Sequence, residues 1–252
     1  MLRNVRQPRP KKPVMLMLHG SGSLSAIFRF QTHGLARELS KSFDLVFLDG
    51  PTPSPPGPEL FDVARYIQTQ LVDQGVKAGD VVAILGFSQG ALTAMAMLDL
   101  RLAQQSAWQN LRFCVTIGAG TTDDSAQLDG IESMISTLSH MLGQPDGKFP
   151  LYSVQASGTR DVWYKDGKRL ASMCAKDRTK TMDYRDGHVV PRQRADIMKL
   201  VHLITAIDTD SKAVQDVSEA VQPLEARSVP TILAGEDTTR GMAVLADRGI
   251  RI

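Results

Sequence analysis

Residues Asp80–Met97 have the sequence DVVAILGFSQGALTAMAM, and this stretch decides the predicted fold. Its first part is a continuous apolar run, which is typical of a strand that is covered on both faces in a parallel sheet. Its last part contains strong helix formers and no proline. Between the two parts, Ser88 stands in the pattern Gly-Phe-Ser-Gln-Gly. The stretch therefore predicts a strand, a sharp turn and a helix.

The pattern around Ser88 is that of a nucleophile elbow, a turn so tight that a side chain at Gly86 or Gly90 would strike neighbouring backbone. Strain in such a turn lifts the serine hydroxyl clear of the sheet. The bare pattern also arises by chance, and a purely structural strand-to-helix turn is the alternative. The strand before it and the helix after it favour a nucleophile.

Composition sets the outer limits of the function. The chain has 252 residues, of which 42% are hydrophobic and 22% charged, as is ordinary for a globular protein. One domain with an appendage fits this length better than two equal domains. The net charge of +2 argues against a nucleic-acid binder. We expect a basic flexible arm at residues 1–12, although a targeting or partner-binding role is the alternative.

Neither a transit peptide nor a membrane span is expected from the sequence. Pro8, Pro10 and Pro13 would break an amphipathic transit helix, and no apolar run approaches the length of a span. Cys114 and Cys174 lie far apart and outside any Cys-x-x-Cys pattern. Two reduced cysteines in a cytoplasmic protein is the simplest interpretation.

Apolar runs and helical patterns alternate along the chain. Helices are predicted from about Ala26 to Leu39, over 59–71, after Ser88, over 125–142 and over 191–207, and the Pro-rich segment 51–58 is predicted to be a surface loop. Alternation of this kind predicts a mostly parallel sheet with helices on both faces, in three layers. The six predicted strands are 14–20, 44–49, 80–85, 111–118, 151–156 and 179–184.

Ser88, Asp161 and His188 follow three different predicted strands, in the chain order of the α/β-hydrolase catalytic triad. The carboxyl ends of parallel strands share one edge of a sheet, so the three side chains can converge there. In this hypothesis His188 accepts the proton of Ser88 as the hydroxyl attacks an acyl carbon, and later delivers it to the leaving group. Asp161 would hold the imidazole in the required tautomer.

Other acids and histidines compete for these roles. Asp166 lies beyond the loop of Asp161, and the acids at 183 and 186 lie next to the predicted base, where a solvated face would explain them. The histidines at 33, 140 and 202 fall in helical patterns. His188, in a glycine-flanked turn after the sixth strand, is the best placed base, whereas His19 is expected to brace a loop by hydrogen bonding.

The oxyanion of such a reaction needs at least two fixed donors. We expect the backbone N–H of Gln89 to be one, and the N–H of Ser21 to be the other, in preference to those of Gly22 and Ser23. Apolar residues near the predicted mouth indicate an acyl chain of some length, and Trp163 fits either a pocket or the core. The candidate substrate-binding residues are Leu24, Ile27, Phe28, Trp163 and Val189.

Several motifs together resemble the fungal serine hydrolases of the FSH family, within the α/β-hydrolases. The similarity covers roughly residues 13–207. The motifs are LHGSG at 18–22, IFRFQT at 27–32, VFLDGP at 46–51, LGFSQGA at 85–91, GTRDVW at 158–163 and DGHVVP at 186–191.

The resemblance implies a thioesterase or carboxylesterase with Ser88, Asp161 and His188 as the triad. It also implies a role in fungal polyketide pathways, where relatives release an acyl chain from the carrier domain of a synthase. Two features depart from the family pattern. Asp161 is followed by Val-Trp-Tyr where relatives often have a proline-containing turn, and residues 211–252 form an extension of unknown role beyond the hydrolase domain at 13–210.

Two other classes of function were weighed. A dinucleotide site would use Gly20-Ser21-Gly22 and Asp49, but its third glycine would fall at Ser25, where a side chain obstructs close packing. A non-catalytic acyl-binding module would keep the fold with the triad as a relic. The sequence contains no metal-ligand spacing, and we expect neither a metal nor another cofactor.

Overall fold

The computed structural model describes residues 12–51, 60–102, 106–120, 148–149 and 151–225, and within them the six predicted strands form one parallel sheet. The strands are β1 (Val14–Leu18), β2 (Asp44–Leu48), β3 (Val81–Phe87), β4 (Phe113–Ile117), β5 (Tyr152–Gly158) and β6 (Thr179–Tyr184). Their order in the sheet is β2-β1-β3-β4-β5-β6. The predicted fold class is confirmed.

Helices cover both faces of this sheet, because most strand residues are apolar on both sides and need cover from water. The helices are α1 (Ser25–Gln31), α2 (His33–Leu39), α3 (Leu60–Asp73), α4 (Gln89–Leu102), α5 (Tyr164–Ser172) and α6 (Arg194–Glu225). One buried cluster packs β1, β3 and β4 against α3, α4 and α5. A second cluster packs the other face against α1, α2 and α6.

The helices differ from the prediction in three places. The expected helix over 26–39 is two helices, broken at Thr32, whose hydroxyl donates to the Phe28 carbonyl oxygen. Helix α5 was not predicted, since Gly167 and four charged residues hide its pattern. Helix α6 begins at Arg194 instead of Pro191 and continues to Glu225, across the expected start of the extension. The predicted helix over 125–142, the Pro-rich segment 52–58, the arm up to residue 11 and the tail from 226 lie outside the described residues.

The sheet has a topological switch point between β1 and β3. From β1 the chain moves outward to β2 on one side, and then returns to β3 on the other side. The loops that leave β1 and β3 therefore diverge at the carboxyl edge of the sheet. Ligands of open α/β sheets bind in the crevice that such a divergence creates.

Both cysteines are buried free thiols. Burial raises the pKa of Cys174 to about 11 and also raises the pKa of Cys114. Neither thiol is therefore a nucleophile near neutral pH. None of the helices in the described ranges has the length and apolarity that would be needed to cross a bilayer.

At the edge of the sheet opposite the crevice, a nearly buried ion pair attaches α6 to the start of β4. The Arg112 guanidinium donates to the Asp208 carboxylate at 2.5 Å, and Lys212 donates to the other oxygen of that carboxylate at 2.6 Å. The side chains of Arg112 and Asp208 are only 9% and 12% exposed. Removing one partner of such a pair leaves an uncompensated charge away from water.

We predict that Asp208→Ala lowers the free energy of unfolding by about 3 kcal/mol, because Arg112 stays buried without its counter-charge. The control is Asp210→Ala on the same helix, whose pair with Lys180 is about a third to a half exposed. It should lose less than about 1 kcal/mol. Urea titration of both variants measures the difference, and equal losses would contradict this role of the pair.

Candidate active site

Ser88 occupies a strained turn between β3 and α4. Its φ of 55° lies in the left-handed region, and it is the only non-glycine residue in the described ranges with positive φ. A Cβ on Gly86 would lie 2.0 Å from the Gly90 carbonyl oxygen, and one on Gly90 would lie 2.5 Å from the carbonyl oxygens of Leu18 and His19. Both glycines are therefore required by close backbone approach, and the turn has the geometry of a nucleophile elbow.

The structure joins Ser88, His188 and Asp161 in one chain of hydrogen bonds. The Nε2 of His188 lies 3.0 Å from the Ser88 Oγ, and its Nδ1 lies 2.9 Å from the Asp161 Oδ2. A carboxylate accepts only, so Nδ1 carries the proton and Nε2 accepts from the serine hydroxyl. The Asp161 side chain is 1% exposed and that of His188 is 29% exposed. The imidazole thus connects a buried acid with a hydroxyl at the edge of the sheet.

Backbone and aromatic groups hold this chain in place. The Trp163 N–H donates to the Asp161 Oδ1 at 2.9 Å, which leaves Oδ2 for the imidazole. The Tyr184 hydroxyl donates to the Val189 carbonyl oxygen at 2.6 Å and so closes the loop that carries His188. Burial, together with the nearby Asp161, raises the pKa of Tyr184, so this hydroxyl keeps its proton. The Phe87 ring packs on the imidazole with its centroid 4.8 Å away.

Gly118, directly after β4, was not singled out from the sequence, although it is the last residue of a predicted strand. Its φ is +55°, and an added Cβ would lie 3.1 Å from the Asp161 Oδ2 and 3.4 Å from the His188 Nδ1. The absence of a side chain at Gly118 therefore makes room for the acid–imidazole contact. A glycine that ends a strand of a parallel sheet was the available signal, but the sequence does not indicate what it faces.

The two predicted oxyanion donors border one cavity. Gln89 is the first residue of α4, where the backbone N–H has no partner within the helix. Ser21 is exposed in the turn that follows β1. Both residues line a cavity at the switch point, together with the loop 20–24. The structure therefore brings them to the same side of the Ser88 turn.

His19 connects the two loops that border this cavity. Its Nε2 accepts a hydrogen bond from the Gly50 N–H at 3.1 Å, so its Nδ1 carries the proton and donates to the Gly20 carbonyl oxygen at 2.8 Å. These bonds use the neutral imidazole. The neighbouring Asp49 carboxylate accepts from the Ser25 N–H at 2.6 Å and so fixes the start of α1. His19 is thus placed to brace the loop, away from any proton transfer.

The five candidate substrate-binding residues are not equivalent. Leu24 is 52% exposed and lines the cavity, and Ile27 is 47% exposed on α1. Trp163 and Val189 are half-buried next to Asp161 and His188 in the chain. Phe28, by contrast, is fully buried, because its ring packs against those of Phe47 and Phe87. The structure places Phe28 in the core behind the site.

Most of the acids and histidines that compete for the roles of Asp161 and His188 have partners or positions outside the triad. Asp183 pairs with Lys168 and accepts from the Tyr164 hydroxyl. Arg192 donates to Asp186 and holds the pKa of that carboxyl below its usual value. His33 and His202 are exposed on helices, and His140 lies outside the described residues. Among the described residues, no group of three His, Cys, Asp or Glu side chains could hold a metal ion.

Comparison with known families gives one match across most of the chain. The family described as "Serine hydrolase (FSH1)" matches residues 9–70 and 62–200. These two segments include Ser88, Asp161 and His188. They also include both loops that border the cavity.

Similar proteins come from filamentous fungi. "Probable esterase tazC" of Aspergillus terreus is 25% identical in an alignment 249 residues long, gaps included, that covers 79% of this chain and 94% of the relative. "Esterase FUS5" of Gibberella fujikuroi is 26% identical in an alignment 230 residues long that covers 77% of this chain and 86% of the relative. "Thioesterase FSL2" of Gibberella zeae is 24% identical in an alignment 232 residues long that covers 76% of this chain and 91% of the relative.

Among solved structures, esterase LipW from Mycobacterium marinum superimposes with a TM-score of 0.51 at 16% identity, over 79% of this chain and 73% of that one. At this identity, the likeness shows the shared fold alone.

We predict that Gly118→Ala lowers kcat for an activated ester by about tenfold or more, because the new methyl group displaces Asp161 or His188. The control is Gly75→Ala, which also places a side chain at positive φ (+72°), but after α3 and remote from Ser88. The control should change kcat less than about twofold while losing similar stability. Steady-state kinetics with thermal melts on both variants separate crowding from backbone strain, and equal kcat losses would contradict the crowding argument.

Proposed function

The chain belongs to the serine hydrolase (FSH1) family, and from that premise we propose that it is a thioesterase acting through a Ser88 acyl-enzyme. In this proposal it releases a polyketide or a related acyl chain in fungal secondary metabolism. The observation that carries the proposal is the hydrogen-bonded chain from Asp161 through His188 to Ser88 at a strained turn. The named thioesterase among its relatives supports the choice of substrate class.

Acylation uses the proton positions that the hydrogen bonds define. The Ser88 Oγ attacks the carbonyl carbon of the thioester, and its proton passes to the His188 Nε2, 3.0 Å away. Asp161 stabilises the imidazolium that forms, because its carboxylate accepts from Nδ1. When the tetrahedral intermediate collapses, the carbon–sulfur bond breaks and Nε2 returns the proton to the sulfur. The thiol leaves, and the acyl group stays on Ser88.

We assign to the backbone N–H groups of Gln89 and Ser21 the role of stabilising the negative charge that develops on the carbonyl oxygen. The N-terminal end of α4 adds the positive end of the helix dipole at the same position. His19 and Asp49 hold the loop after β1, so the Ser21 donor is fixed before substrate arrives. Donors fixed in advance need no reorganisation in the transition state.

Deacylation repeats these steps with water. The His188 Nε2 takes a proton from a water molecule, whose oxygen attacks the acyl carbon. The intermediate expels the Ser88 oxygen, which recovers the proton from Nε2. The products are a free acid and the resting enzyme, and no cofactor takes part.

The proposal includes presentation of the acyl chain by a carrier domain. Leu24, Ile27 and Val162 are 52%, 47% and 81% exposed, and they follow β1 and β5 at the carboxyl edge of the sheet. Exposed apolar side chains near a reaction centre suit contact with a partner or with a long acyl chain. We place the reaction in the cytoplasm, where two buried free thiols are stable.

A general carboxylesterase for short or medium acyl chains is the second candidate. The printed names of two relatives, the esterases tazC and FUS5, favour it. The same residues would act, and only the leaving group would differ, an alcohol in place of a thiol. The measured preference for thioesters or for oxygen esters therefore distinguishes the thioesterase from the carboxylesterase.

A matched series of thioesters and oxygen esters, with equal acyl chains of increasing length, tests the substrate class. The thioesterase proposal expects kcat/KM for each thioester to exceed that of its oxygen ester by about tenfold or more, after division by the rate of spontaneous hydrolysis. A preference for oxygen esters at every length would favour the carboxylesterase. Turnover of neither series by the folded protein would exclude both and leave a non-catalytic acyl-binding module.

His188→Ala should lower kcat by about three orders of magnitude or more, because the residues of a triad act as a unit. The control is His202→Ala, which removes an exposed imidazole from α6 and should leave kcat unchanged. Both variants are compared by stopped assays and circular dichroism. Near-normal turnover by a folded His188→Ala variant would exclude His188 as the base.

A further inference from the structure

The cavity at the switch point, which Gln89 and Gly90 of the Ser88 turn help to line, has a volume of about 330 Å³. Its walls are the loop after β1, the end of β2, one face of α3 and the first turn of α4. Except for α4, which follows β3, these elements lie on the β2 side of the switch point. Its size suits an acyl group larger than acetyl.

The position of His188 indicates which part of a substrate enters this cavity. His188 follows β6 and Asp161 follows β5, whereas the cavity lies beside β1 and β2 at the other end of the sheet. The leaving group must receive its proton from the His188 Nε2, so it lies on the β6 side of Ser88. The acyl chain then extends from the carbonyl carbon, past Gln89, into the cavity.

One carboxylate, that of Asp49, lines this cavity without a compensating cation. None of the described residues that line it is a lysine or an arginine. His19 lies 4.0 Å from the Asp49 Oδ1, but its Nε2 accepts from the Gly50 N–H, so the ring is neutral. The Asp49 side chain is 48% exposed, and its Oδ1 already accepts from the Ser25 N–H.

Tyr66 also lines this cavity, and its hydroxyl donates to the carbonyl oxygen of Gly50, the residue after Asp49, at 3.2 Å. Burial and the negative charge of Asp49 raise the pKa of this phenol. The polar groups at this end of the cavity are therefore a carboxylate and a neutral phenol, which suit an uncharged group or a hydroxyl donor.

We propose that Asp49 is a specificity-determining residue that excludes acyl chains ending in a carboxylate and admits neutral ones, including hydroxylated ones. The inference rests on the proposed function, since it assumes an acyl-enzyme at Ser88. Two like charges several ångströms apart repel each other, and the carboxylate of such a substrate would also lose part of its hydration on entering the cavity. Together these effects are expected to lower kcat/KM by tenfold or more.

The test uses three esters with one leaving group, whose acyl parts are 3-phenylpropanoyl and its 4-hydroxy and 4-carboxy derivatives. The readout is kcat/KM for each substituted ester divided by that for the unsubstituted ester in the same enzyme. Any general loss of activity cancels in this ratio. In the wild type we expect a 4-carboxy ratio of about 0.1 or less and a 4-hydroxy ratio of at least one.

Asp49→Asn removes the charge and keeps an oxygen that can accept from the Ser25 N–H. It should raise the 4-carboxy ratio about tenfold. Asp177→Asn is the control, because this acid is 78% exposed and lies before β6, at the opposite edge of the sheet. Its ratios should equal those of the wild type.

A second measurement needs no variant. Added salt screens a half-exposed charge, so the 4-carboxy ratio of the wild type should rise between low and high ionic strength while the 4-hydroxy ratio stays constant. A 4-carboxy ratio near one in the wild type, or one unchanged by Asp49→Asn, would overturn the Asp49 proposal alone. Failure of the wild type to hydrolyse any of the three esters would overturn the proposed function as well.

Discussion

The structure depends on the close backbone contact at the Ser88 turn. Gly86 meets Gly90 within the turn, and Gly90 meets the last carbonyl groups of β1. This one contact joins β1, β3 and α4 at the point where the chain reverses its direction across the sheet. Holding Ser88 at a φ of 55° costs about 1–3 kcal/mol, which the surrounding packing must offset. The Ser88 N–H donates to the Ile117 carbonyl oxygen at 3.0 Å and so helps to hold the turn on β4.

The sheet order separates the two halves of the site. Proton transfer is assigned to the β5 and β6 side, where Asp161 is buried and His188 is partly open to solvent. Oxyanion binding and acyl binding are assigned to the β1 and β2 side, where His19 and Asp49 brace the loops. Ser88 stands between them at the end of β3. In the proposed orientation, a substrate that bridges the two sides has its leaving group near His188 and its acyl chain in the cavity.

The sequence predicted well those features that leave a local pattern. Strands β1 to β4 are mainly apolar runs, whereas β5 and β6 contain polar residues and were predicted as strands between helical patterns. The glycine-flanked serine marked the turn. Helix α5 was missed for a physical reason. Its Gly167, which weakens the helical pattern, lets the helix approach β5, since a Cβ there would lie 2.7 Å from the Ser157 Oγ.

Some features that depend on contacts between distant segments were not predictable. The room that Gly118 leaves for Asp161 and the cavity position of Asp49 have no local signature. Phe28 has the same apolar character as Leu24 and Ile27. Only the packing of its ring against Phe47 and Phe87 shows that Phe28 belongs to the core and not to the mouth of the site. Apolar type alone does not distinguish a residue that lines a site from one that supports it.

The most direct test of the account is the mass of the intact protein after incubation with a fluorophosphonate. A nucleophilic Ser88 predicts a single adduct on the wild type and none on folded Ser88→Ala. No adduct on the folded wild type, or an equal adduct on the variant, would contradict the assignment of Ser88 as the nucleophile.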